Sequence, residues 1–211
     1  MLAAIVLFDR FTALDAVGPH EVLSGLPGAE VLFAAHTPGP VANEKGTLRL
    51  TADAALADVP RPDVIVVPGG PGQHAHMTEE AMLGWLRAAD SGSTWTTSVC
   101  TGSLLLASAG LLKGRRATTH WLAMDQLAGL GAVPAPERVV TDGKYMTAAG
   151  VSAGLDMALV LAGKLAGDAV AQSVQLALEY DPQPPYQAGS PATAPPAITG
   201  ALRARRDRIL T

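Results

Sequence analysis

The chain has 211 residues, 48% of them hydrophobic and only 16% charged, with a formal net charge of −4. That length fills one sizeable domain, and the acidic balance argues against a nucleic-acid or anionic-membrane surface across the whole molecule. Cys100 is the only cysteine, which excludes an intramolecular disulfide and any metal site built on several thiolates; a reducing, cytoplasmic setting is the expectation.

Leu2 to Phe8 is a continuous apolar run of strand length. No basic residue precedes it and Asp9 ends it, so it reads as a central parallel strand rather than an export signal. Leu14 to Ser24 follows as a helix that Gly18-Pro19 breaks or starts late, leaving Asp15 near its beginning. Glu30 to Ala35 is the second strand, and Thr37 to Thr51 a small antiparallel excursion. Val64 to Val67 is a third major strand running into Gly69-Gly70-Pro71-Gly72. Glu79 to Ala89 is amphipathic, with Met82, Leu83 and Leu86 on its apolar face.

Ser91 to Leu112 carries no charge for 22 residues, long enough to span a bilayer. Twelve of those residues are Ser, Thr or Gly, concentrated in the first half, and a buried strand–turn–helix accounts for them better. Within it, Thr96 to Val99 is a strand, Cys100 the turn, and Ser103 onward a helix. A side chain at such a turn stands out of the sheet over a helix N-terminus, where free N–H groups favour an anion. Cys100 is therefore expected to have a lowered pKa and to act as a nucleophile, by the logic of a nucleophile elbow with Cys for Ser. A buried structural thiol is the plainer alternative.

Gly69-Gly70 is either a simple turn or, through the Gly70 and Thr101 N–H groups, an oxyanion-type hole beside the sulfur. Asp15 is a helix N-terminal acid, or, if it lies beside the cysteine, a general acid with a raised pKa. His120 is the candidate to orient or deprotonate the thiol. The remaining histidines (His20, His36, His74 and His76) show no metal-ligand spacing with Asp or Glu, and His74-Ala75-His76 reads as loop.

Ala117 to Trp121 is strand-like, Trp121 to Leu130 helical, and Arg138–Val140 with Tyr145–Ala148 brackets a hairpin turn at Asp142-Gly143. Ser152–Leu165 and Asp168–Glu179 are helices joined at Gly167. Asp181 to Pro196 holds six prolines and reads as an extended surface arm. Ile198 to Leu210 is a last helix whose Arg203, Arg205, Arg206 and Arg208 form a solvated face. The alternation implies one doubly wound, flavodoxin-like α/β domain over residues 1–180, with the arm and helix of 181–211 packed on it and ligands at the carboxyl ends of the strands.

Four separated stretches resemble a known family: Val66-Val67-Pro68-Gly69-Gly70, Val99-Cys100-Thr101-Gly102, Ala117-Thr118-Thr119-His120-Trp121 and Gly150-Val151-Ser152-Ala153-Gly154-Leu155-Asp156. They look like the ThiJ/PfpI branch of the class I glutamine amidotransferase-like superfamily, over Leu2 to about Leu178. Leu14 to Val22, the Cys-Thr pair and the tail from Glu179 to Pro191 are most similar to its isonitrile hydratases. The resemblance implies Cys100 as catalytic nucleophile, Thr101 as its partner and Asp15 as the acid; Gly69 and His120 are the supporting candidates from the residues themselves. Peptidase-like members carry His after the cysteine and many relatives carry Glu at the acid position, so peptidase activity is not implied.

The implied reaction is hydration of an isonitrile to an N-substituted formamide through a Cys100 thioimidate, in a homodimer, with no metal or organic cofactor. Trp121 and the region His74 to Met77 are expected to line the pocket for the substituent. Two rival readings follow from the same residues. One is a small-molecule sensor like the amino-terminal domain of AraC-type regulators, although the stretch after Glu179 holds no pair of helix-turn-helix units. The other is a redox protein in which an exposed, low-pKa Cys100 oxidises.

Overall fold

The computed structural model describes residues 1–210. Strand β1 (Leu2–Val6) leads into helix α1 (Ala13–Ser24), strand β2 (Glu30–Ala35), the antiparallel pair β3 (Gly39–Ala42) and β4 (Arg49–Ala52), and the short β5 (Ala54–Ala55). Next come β6 (Val64–Val67), α2 (Gln73–His76), α3 (Glu80–Gly92), β7 (Trp95–Val99) and α4 (Gly102–Ser108). The rest of the domain is β8 (Arg116–Ala117), α5 (Met124–Gly129), β9 (Val133–Pro134), β10 (Val139–Asp142), β11 (Tyr145–Ala148), α6 (Ala153–Ala166) and α7 (Asp168–Ala177). Two short helices follow the arm, α8 (Pro196–Arg203) and α9 (Arg206–Leu210).

Seven strands form the central sheet in the order β10-β11-β7-β6-β1-β2-β5. All neighbours run parallel except β10 and β11. The apolar runs explain why. Ala3 to Leu7 and Val64 to Val67 are wholly buried, as strands covered on both faces must be. Helices α1 and α6 pack together over one face, and α3, α4 and α5 associate over the other. The chain leaves β1 in opposite directions for β2 and β6, so a crevice opens at their carboxyl ends, the expected place for a ligand in such a sheet.

Three local expectations are corrected. Helix α1 runs unbroken through Pro19. A proline there lacks an N–H and costs about 3 kcal/mol in an ordinary helix interior, but Gly18 and Pro19 lie against Leu155 and Gly154 of α6, and that packing keeps the helix whole. Of the expected strand over 117–121 only Ala117 is in a strand, with Arg116 in β8; His120 instead begins a 3-10 turn, its Nδ1 accepting the Leu122 N–H at 3.3 Å. The last helix is split at residues 204–205. Arg206 pairs with Asp125, and Arg203 lies over the Trp121 ring at 5.7 Å, so this basic stretch is partly spent in holding the terminus to the domain. Thr211, the end of the 181–211 segment, lies outside the described residues.

Candidate active site

The turn between β7 and α4 puts Cys100 at φ 56°, the left-handed region, which costs a residue with a Cβ about 1–2 kcal/mol. The surroundings hold it there. Its N–H reaches the carbonyls of Ala148 (3.1 Å) and Ala149 (2.9 Å) at the end of β11. Its own carbonyl accepts the Thr119 hydroxyl at 3.0 Å. The side chain is consequently thrust out of the sheet, with 6% of the residue's surface left open.

Asp15, from the first turn of α1, is fully buried beside it. Its Oδ2 accepts the Gly69 N–H at 2.9 Å, while Oδ1 has no nitrogen or oxygen partner. The carboxyl and the Cys100 thiol interact and shift each other's titration. Burial raises Asp15 from 3.8 to about 7; the Gly69 N–H and the thiol oppose that rise and the charge of Glu44 adds to it.

Burial also pushes the Cys100 thiol well above its usual range, and the Asp15 charge pushes it further. The Val151 and Thr101 N–H groups beside the sulfur resist this without cancelling it. The expected depressed thiol pKa is thereby corrected. A nearly closed, acid-flanked sulfur is held as a neutral thiol whatever the helix end behind it contributes.

The glycine turn after β6 has a tighter role than a hole for an anion. Gly70 sits at φ 131° with the site of a Cβ only 2.5 Å from the Thr12 nitrogen, so only glycine fits. Its N–H donates to the Thr101 hydroxyl at 3.0 Å, which corrects the reading of that N–H as a free donor. A Cβ on Gly69 would meet the Thr101 nitrogen at 2.5 Å and Asp15 Oδ2 at 3.0 Å. Gly69, Gly70, Thr101 and Asp15 thus form one interlocked unit.

Val151 lies in the Gly150–Asp156 stretch, where the sequence marks no catalytic role for it. It takes the place foreseen for Gly70, aiming its N–H at the sulfur from a backbone at φ 20°. A β-branched residue at positive φ leaves no signal in a single sequence.

Beside the cysteine loop lies a cavity of about 490 Å³, walled by Thr119, His120, Trp121, Gly150, Val151 and, from the arm, Pro191. Trp121 lines it as expected. The His74 to Met77 region does not; His76 walls a separate cavity instead. His120 stands in the same wall. Burial lowers its pKa and keeps the ring neutral, and Nδ1 already accepts the Leu122 N–H, leaving the proton on Nε2. It is not among the groups that shift the Cys100 thiol.

Residues 1–164 match the DJ-1/PfpI family. The chain belongs to the DJ-1/PfpI family. It is 46% identical over 200 residues to the isonitrile hydratase of Pseudomonas putida, an alignment covering 95% of this chain and 87% of that one. Its fold superposes on the crystal structure of a ThiJ/PfpI family protein from Pseudomonas syringae with a TM-score of 0.95 and 37% identity, covering 99% of this chain and 87% of the other. The similarity also extends to transcriptional regulators. The HTH-type transcriptional regulator GbdR of Pseudomonas aeruginosa is 31% identical over 184 residues, covering 83% of this chain and half of the regulator.

Proposed function

We propose that this protein hydrates isonitriles to N-substituted formamides through a covalent bond to Cys100. The observation that carries the proposal is the 46% identity to the Pseudomonas putida hydratase over almost the whole chain. The Asp15–Cys100 pair supplies its chemistry. An isonitrile carbon must gain both a proton and a nucleophile. A thiol held neutral beside a carboxyl that titrates near 7 offers both, because a shuttle works best with its pKa near the working pH.

In the first step the thiol proton passes to Asp15 and from there to the isonitrile carbon, as sulfur bonds to the same carbon. The product is the thioimidate R–N=CH–S–Cys100, with Asp15 again ionised. Water then adds to that carbon: Asp15 takes one of its protons and returns it to nitrogen, giving R–NH–CH(OH)–S–Cys100. Collapse of this intermediate forms the C=O bond and breaks the C–S bond. The hydroxyl proton goes by way of Asp15 to the departing sulfur, and R–NH–CHO leaves. The N–H groups of Thr101 and Val151 stabilise the sulfur whenever it carries negative charge.

Substrate shape favours the same reading. With 6% of the residue exposed, Cys100 suits a linear, unsubstituted N≡C terminus, whose bulk stays in the cavity walled by Trp121 and Pro191. A peptide carbonyl, flanked on both sides, needs wider access. Incubation with p-tolyl isonitrile and detection of the formamide by mass spectrometry tests the proposal. Wild type is expected to yield it and Cys100→Ala none. Saturable isonitrile binding without any formamide would favour the sensor function that the likeness to GbdR suggests.

A further inference from the structure

A second cluster stands apart from the cysteine. His36, directly after β2, His76, at the end of α2, and Glu79, just before α3, bring three ligand-type side chains together. His76 and Glu79 are three residues apart, but His36 lies 40 residues before His76, so the spacing along the chain does not announce the trio. Their donor atoms lie within 4.8 Å of one another. Glu79 Oε2 is 3.1 Å from His36 Nε2 and also contacts His76 Nδ1. We propose that His36 Nε2, His76 Nδ1 and the Glu79 carboxylate form a binding site for a divalent transition metal of borderline softness, Zn²⁺ being the best match.

Three observations carry the assignment. The donor set is two imidazoles and one carboxylate, a combination that zinc takes with a fourth position left open. A tetrahedral ion with bonds of ~2.0–2.1 Å holds its ligands ~3.3–3.4 Å apart, close to the 3.1 Å His36–Glu79 separation, while His76, now hydrogen-bonded to Glu79, draws back from it to bind. The charge also fits, since the single carboxylate supplies an anionic ligand that offsets part of a dication's charge.

His36 and His76 also wall a cavity of about 500 Å³ that reaches Asp9 and Arg49 and shares no residue with the one beside Cys100. The fourth position of the ion faces this cavity, at the carboxyl ends of β1 and β2. The His36 and His76 rings, 5.7 Å apart, and the Phe8 ring, 5.4 Å from His76, restrict how far the ligands can swing.

Titration of chelator-stripped protein with ZnCl₂ by calorimetry tests the site. The expected result is one Zn²⁺ per chain, retained in Cys100→Ala, which removes the other soft ligand. His36→Ala and Glu79→Gln are each expected to weaken binding by at least about 100-fold, since loss of even an outer partner of a metal ligand costs 10–100-fold. Both variants should keep the wild-type circular dichroism and melting temperature in the absence of metal. Co²⁺ in place of zinc should give the intense visible absorption of a four-coordinate ion. Absence of saturable binding, equal binding by the variants, or loss of binding in Cys100→Ala would overturn the assignment and leave the three groups as a hydrogen-bonded cluster.

Discussion

Replacing Asp15 with Asn should make the protein more stable and inactive, and the gain should depend on pH in a definite direction. Burial raises this carboxyl from 3.8 to about 7 in the fold. Between those two values the native state holds a proton that the unfolded chain has lost, so stability falls as pH rises. The penalty is absent below about pH 4, grows through the window, and is complete above about pH 7. A rise from 3.8 to about 7 corresponds to about 4 kcal/mol at 1.36 kcal/mol per pH unit. Asn keeps an oxygen for the Gly69 N–H and carries no charge, so it escapes that penalty. Part of the gain is lost because its amide must be buried beside the sulfur.

Urea unfolding at pH 5 and pH 8 measures the effect, because variant and wild type share whatever ionisation the unfolded thiol undergoes. The stability difference between variant and wild type should be larger at pH 8 by roughly 2–4 kcal/mol. Equal differences at the two pH values would refute the buried, high-pKa carboxyl on which the proton shuttle depends.

Four further outcomes follow. Glu44→Gln removes a charge that helps to raise Asp15, so the acid limb of the turnover–pH profile should move to lower pH; an unmoved limb would detach Glu44 from the pair. Thr101→Val leaves the buried Gly70 N–H without its partner, costing about 1–3 kcal/mol, and Thr101→Ser should restore both stability and turnover in unfolding and activity assays. Gly69→Ala drives a methyl against the Thr101 nitrogen and Asp15 and should cut kcat at least tenfold, by about 1.4 kcal/mol or more, in the same assay. Because burial and Asp15 hold Cys100 neutral, iodoacetamide should label it far more slowly at pH 7.5 than a free thiol; rapid labelling would revive a low-pKa redox role.

Much of this organisation is legible in the chain itself, and the parts that are not have identifiable causes. The buried runs Ala3–Leu7 and Val64–Val67 show a parallel sheet because strands covered on both faces need apolar residues at every position. Asp142-Gly143 marks the hairpin, although the observed loop is Gly143-Lys144, with Gly143 at φ 63°. Cys100 and Gly69-Gly70 announce a site through turn chemistry. What the sequence reading gets wrong is electrostatic: whether the thiol is lowered by a helix end or raised by burial depends on 6% exposure and on a carboxyl 85 positions away, and neither has a local signature. The sequence is equally silent on His120, since a Cys and a His in one chain say nothing of the Leu122 N–H that occupies Nδ1. The His36, His76 and Glu79 cluster is invisible because His36 reaches the local His76–Glu79 pair only through the order of the strands.

The homodimer implied by family resemblance is checked by light scattering after size exclusion: a dimer mass is expected, and a monomer at all concentrations would oppose it. The central claim is covalent. Wild-type protein quenched in acid during turnover of cyclohexyl isonitrile, then digested and mapped by mass spectrometry, should carry one added isonitrile on the Cys100 peptide, and Cys100→Ala none. Formamide released at the wild-type rate with that peptide never modified, or formed equally well by Cys100→Ala, would contradict it.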